Sequence, residues 1–125
     1  MKKSFLPLLL VLLAACSKRS GAGKDYEAPV ITLNTPVNNQ HFIPGQAISV
    51  TGTVSDNKYI KVIHVVITNF DTGEEYLHVH ISPTNNSASF NQSLTAQAGI
   101  NYQVEIIAED PSANVSSKKV EISSN

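Results

Sequence analysis

Three of the four histidines of this 125-residue chain, His64, His78 and His80, fall inside one stretch, residues 60–81, at alternate positions of what read as two strands. Imidazole nitrogens are the commonest side-chain metal ligands and suit zinc and copper. A His-x-His pair on one strand, with the third histidine opposite it on the next, would bring three nitrogens to one ion. Directly opposed Cβ atoms lie about 5 Å apart and i, i+2 residues about 7 Å apart, within reach of nitrogen–zinc bonds of about 2.1 Å. Glu105, on a strand expected beside the first, is the candidate fourth ligand. Zn or Cu is the cofactor such a set would take; no general base or substrate pocket accompanies it.

The elements that must position these side chains are legible around them. Residues 60–69 and 74–81 are β-branched runs with apolar residues at every second position, separated by polar residues, the pattern of a hairpin with one buried face. Ile63, Val65 and Ile67 face the same way, as do Leu77, Val79 and Ile81. A three-residue loop, Asp71, Thr72 and Gly73, brings both sets to one side, with glycine where the backbone turns left-handed. The expected pairs are Ile63 with Ile81, Val65 with Val79, Ile67 with Leu77 and Phe70 with Glu74. On the reverse face they are His64 with His80, Val66 with His78 and Thr68 with Tyr76. A one-residue slip would turn every aliphatic side chain outward, so register is strongly specified.

The chain opens with Lys2 and Lys3 and an apolar run, residues 5–15, broken only by Pro7. The run falls short of the roughly 20 residues that span a bilayer and has the layout of an export signal. It ends in Leu13, Ala14, Ala15 and Cys16, which resembles the lipobox of bacterial lipoprotein signals. That resemblance implies cleavage before Cys16 and acylation of it, giving a lipid-anchored protein of the bacterial cell envelope, held at the outer membrane. Cys16 is the single cysteine, so no intramolecular disulfide exists. Residues 1–15 then form the signal peptide and 16–27 the lipidated cysteine and a polar, flexible tether with Gly21 and Gly23, while 28–125 form one domain. From residue 28 onward four lysines stand against eight carboxylates, +4 − 8 = −4. An acidic domain of this kind excludes nucleic acid as a partner.

In residues 28–125 short alternating runs recur between turn residues, with no helical period. They are residues 30–34, 48–54, the two arms of the hairpin, 88–94, 102–108 and the run around Val120 and Ile122, with 41–43 as a continuation of the first. Seven strands in about one hundred residues argue an all-β fold, a seven-stranded antiparallel Ig-like β-sandwich. The motifs IxVxGxVxD at residues 48–56, IxxIxVxI at 60–67 and YxVxIxAxD at 102–110 resemble the bacterial Ig-like and fibronectin type III-like domains of cell-surface proteins. A small lipoprotein with one such domain is similar to an uncharacterised family of Bacteroidetes lipoproteins. In that fold Tyr102 matches the tyrosine-corner position, and the strand carrying it lies beside the first arm of the hairpin.

The exposed sheet would then carry Tyr76, Val62, Val66 and Ile107 around the histidines. Besides a metal site, two readings stay open for it: half-exposed strand residues without a ligand, and a contact patch for a protein or glycan, including docking as an accessory subunit of an envelope complex. Asp56, Asn57, Glu109 and Asp110 gather at one end, as in Ca²⁺-binding cadherin-type repeats. Those share their ion with a following domain, so capping of turns is the role assigned to these residues. No phosphate-binding glycine loop and no serine–histidine–acid set is present. The sequence is read as a non-enzymatic binding or structural module with the membrane as its first partner.

Overall fold

The computed structural model describes residues 23–125; the signal segment and Cys16 lie outside the described residues. Eight strands follow in order: β1 (Val30–Thr35), β2 (Gln40–Phe42), β3 (Ala47–Ser55), β4 (Val62–Asn69), β5 (Glu75–Ile81), β6 (Ser87–Thr95), β7 (Ile100–Glu109) and β8 (Val115–Ser124). They form two sheets, β1-β3-β6 and β2-β8-β7-β4-β5, the sandwich expected from the alternation. The strand count differs by one. Residues 40–42 do not continue the first strand: β2 crosses to the other sheet and pairs in parallel with β8. The crossing occurs at Pro36, a residue without an amide to donate and so unable to extend the β1 ladder.

Between the sheets lies a core of alternate residues from both inner faces. Ile63, Val65 and Ile67 of β4 and Tyr102, Val104, Ile106 and Ala108 of β7 are fully buried, opposite Ile48, Val50, Val54 and Phe90 of the smaller sheet. Gly52 sits in the same inward row because the Phe90 ring and the Thr32 carbonyl occupy the place where a Cβ would stand. The Tyr102 hydroxyl accepts a hydrogen bond from the Gln97 amide at 2.8 Å. This is the corner geometry its position implied, in which a fully buried ring keeps its one polar atom satisfied.

Pairing of β4 with β5 follows the expected register from Ile63–Ile81 through His64–His80, Val65–Val79 and Val66–His78 to Ile67–Leu77. It then shifts, and Thr68 pairs with Glu75 in place of Tyr76. The loop has four residues, 70–73, with Asn69 N–H bonded to the Glu74 carbonyl at 2.7 Å. Gly73 is left-handed at φ 77° as expected. Asn69 explains the difference: its Oδ1 accepts from the amides of Asp71 and Thr72 at 2.9 and 3.2 Å, winding the chain one residue earlier. A four-residue loop would put the two aliphatic faces out of phase. The bulge at Tyr76 adds the residue that restores phase.

Candidate metal centre

The outward face of the larger sheet is built from alternate residues of β5, β4 and β7. His64, at the middle strand, is flanked by His80 across the β4–β5 ladder and by Ile107 across the β4–β7 ladder. The buried residues Ile63 and Val65 on either side of it in sequence fix the strand beneath. His64 is therefore half-buried, while His78 and His80, on the edge strand, are exposed. The three rings converge, with centroids 4.3 Å apart for His64–His80, 4.6 Å for His78–His80 and 5.4 Å for His64–His78.

Three ring nitrogens meet at one point. His64 Nδ1 stands 3.2 Å from His78 Nε2, and His80 Nε2 stands 3.0 Å from the same atom. Nitrogens bound tetrahedrally to one zinc at about 2.1 Å are about 3.4 Å apart, so small ring rotations would bring this trio to ligand spacing. Glu75 lies on the other side of His78, its Oε2 3.1 Å from Nδ1. A carboxylate only accepts at neutral pH, so Nδ1 carries the proton of a neutral His78 and Nε2 presents its lone pair to the trio. That is the carboxylate–histidine arrangement by which outer partners orient metal ligands. His64 is held below the ordinary imidazole range, first by its burial and then by the proximity of His80 and His78. The neutral, metal-binding form of its ring is thereby favoured.

The three expected ligands are thus brought together and Glu105 is not. Glu105 pairs with Val66, which separates it from the histidines, and its carboxylate turns to Lys119 Nζ at 3.6 Å. Its separation follows from register: the residue beside His64 on β7 is Ile107. Val62, Val66 and Ile107 share the outward face as expected. Tyr76 does not, because the bulge turns it inward, where its ring packs edge-on against Tyr102 at 5.6 Å and its hydroxyl accepts from Asn69 Nδ2 at 3.4 Å. Glu75, absent from the sequence-based set, takes its place beside the histidines; the sequence signal was the Asn69–Gly73 turn that shifts the register. His41, the fourth histidine, lies on β2 with Nδ1 3.1 Å from Ser123 Oγ and belongs to no such group.

Comparison with known proteins bears on the fold. Residues 14–124 match the family described as "Domain of unknown function (DUF4625)". No curated protein matches the sequence. Among solved structures, the fibronectin(III)-like modules of Clostridium thermocellum CbhA are similar at 21% identity with a TM-score of 0.53, over 76% of this chain and 45% of theirs. The chain therefore spans less than half the length of that structure. The T24K superoxide reductase (neelaredoxin) of Ignicoccus hospitalis is similar at 14% identity with a TM-score of 0.52, over 78% of this chain and 80% of that one. At such identities the likeness is one of fold.

Proposed function

The chain belongs to the DUF4625 family, and we propose that it is a lipid-anchored, non-enzymatic module of the bacterial cell envelope whose Ig-like domain binds a zinc or copper ion on its larger sheet. The observation that carries this reading is the convergence of His64 Nδ1, His78 Nε2 and His80 Nε2, with Glu75 aimed at the far nitrogen of His78. Three imidazoles supply a borderline-soft nitrogen set suited to Zn²⁺ and Cu²⁺, and the exposure of His78 and His80 leaves an entry path. Anchoring rests on the lipobox-like residues 13–16, with the acylated Cys16 holding the domain at the outer membrane. A protein or glycan contact on this face is the weaker reading, since Tyr76, its one aromatic group, faces the core.

Thermal unfolding of the full chain, stripped with EDTA and then titrated with Zn²⁺ or Cu²⁺, tests the metal. An ion at about one hundred times its dissociation constant adds about 2.7 kcal/mol, a rise in Tm of roughly 10 °C for a domain of this size. The rise is expected in the native chain and absent in His64→Ala. A flat response in both would refute the metal reading. Cys16→Ser separates the anchor from the ion: it is expected to leave the membrane fraction and to bind metal unchanged, and retention on membranes would count against lipidation.

A further inference from the structure

At one end of the sandwich three carboxylates from three separate segments meet. Asp25 precedes β1, Asp56 follows β3 and Asp110 follows β7, and each offers an oxygen within 4.8 Å of the other two. Asp25 retains 7% of its surface exposed and Asp110 none. The sequence reading placed Asp25 in a solvated tether and gave Asp56 and Asp110 the role of turn caps. The capping is present: Asp110 Oδ1 accepts from the amides of Ser112 and Asn114, and Asp56 Oδ2 from that of Lys58. Asp25 caps in the same way, its Oδ1 accepting from the Glu27 amide at 3.0 Å; capping does not account for three like charges drawn together.

Neutral groups supply the remaining contacts. Asn57 Nδ2 donates to Asp25 Oδ1 at 3.1 Å, and Asn114 Nδ2 contacts both Asp110 Oδ2 at 2.7 Å and the Asp25 carbonyl at 3.0 Å. The Asp25 carboxyl is held below its ordinary range, first by the Glu27 amide and then by Asn57, so it is ionised. Among the described residues no lysine, arginine or histidine forms an ion pair with any of the three. Lys58 acts on Asp25 only at a distance and is exposed. Asp56 Oδ1 is sealed from solvent and has no hydrogen-bond partner among the described residues. Buried anionic oxygens without a donor or a cation are strongly unfavourable.

We propose that Asp25, Asp56 and Asp110 form a second cation site, for Ca²⁺, that pins the segment preceding β1 to the end of the sandwich. Oxygens that share one Ca²⁺ at 2.3–2.6 Å stand no more than about 5 Å apart, the spacing found here, and a hard all-oxygen set selects Ca²⁺ over the ions suited to imidazole. Neutralisation of the trio and coordination of Asp56 Oδ1 by the ion resolve both anomalies at once. Asp25 is the only ligand outside the strand-and-loop frame, so the ion governs where the chain leaves the domain toward its N-terminal segment. The site uses no residue of the histidine trio and stands or falls independently of it.

The test is thermal unfolding of the EGTA-stripped full chain in 10 mM CaCl₂ against NaCl of equal ionic strength, with limited trypsinolysis at Lys24 read by mass spectrometry. Modules with dissociation constants of about 10⁻⁴–10⁻³ M should gain roughly 5–10 °C under these conditions, and cleavage after Lys24 should slow. Asp56→Asn keeps an oxygen for the Lys58 amide and removes the charge; it is expected to fold, to lose the Ca²⁺ response and to cut at the same rate with and without the ion. His64→Ala is expected to retain the full response. No rise in the native chain, or an equal rise in Asp56→Asn, would overturn the proposal; the first outcome would mean that the trio holds no metal.

Discussion

Removing the Glu75 carboxylate asks whether His78 is an oriented ligand or a bystander. In the trio its Nδ1 is 3.1 Å from Glu75 Oε2 and its Nε2 is 3.2 and 3.0 Å from the other two nitrogens. Without Glu75 the His78 ring is free to place its proton on either nitrogen and to rotate about its outer bond. Loss of such an outer partner typically costs 10–100-fold in metal affinity, about 1.4–2.8 kcal/mol. The Glu75 side chain is 51% exposed, so water replaces part of what the carboxylate supplies. We therefore expect a loss near about 10-fold for Glu75→Ala, and a smaller one for Glu75→Gln, whose amide oxygen still accepts from Nδ1–H. His64→Ala removes a ligand outright and should reduce binding beyond the range of the same titration. The assay is competition for Zn²⁺ against a chromophoric chelator at pH 7.5. If Glu75→Ala bound as tightly as the native chain while His64→Ala did not bind, the orientation argument would be wrong. A loss in Glu75→Ala equal to that in His64→Ala would make Glu75 a ligand, which equally contradicts it.

Two further outcomes follow from the same structure. His64 titrates below the ordinary imidazole value of 6.5, so between that value and its lowered folded pKa the unfolded chain binds more protons and stability rises with pH. The metal-free Tm should fall on acidification below about pH 6.5, and His64→Gln should flatten that part of the profile; an unchanged slope would show that the burial of His64 is energetically irrelevant. Gly52→Ala drives a methyl group into the Phe90 ring and the Thr32 carbonyl, and overpacking of this kind costs about 1–3 kcal/mol. Urea unfolding should show a lower midpoint at unchanged slope, and an unaltered midpoint would mean that β1 and Phe90 have room to retreat.

The alternation of residues 60–81 and 102–108 by itself determined the strands and their inward faces, and with the turn around residues 71–73 it gave the five pairs from Ile63–Ile81 to Ile67–Leu77, because a period of two excludes every register that is out of phase and the turn selects among the rest. That is also why the convergence of His64, His78 and His80 was readable: it depends on register, and register on hydrophobic phase together with the place of the turn. The remainder turned on interactions between residues distant in sequence or on local polar bonds that leave the pattern unchanged. Asn69 captured two loop amides and moved Tyr76 from the face to the core. The register of β7 placed Ile107 beside His64 and left Glu105 to Lys119. The crossing of β2 between sheets and the meeting of Asp25 with Asp56 and Asp110 join segments that carry no shared period. Hydrophobic periodicity specifies which side of a strand is buried; which polar groups then face one another is decided by chain trajectory, and that is set by the packed sandwich as a whole.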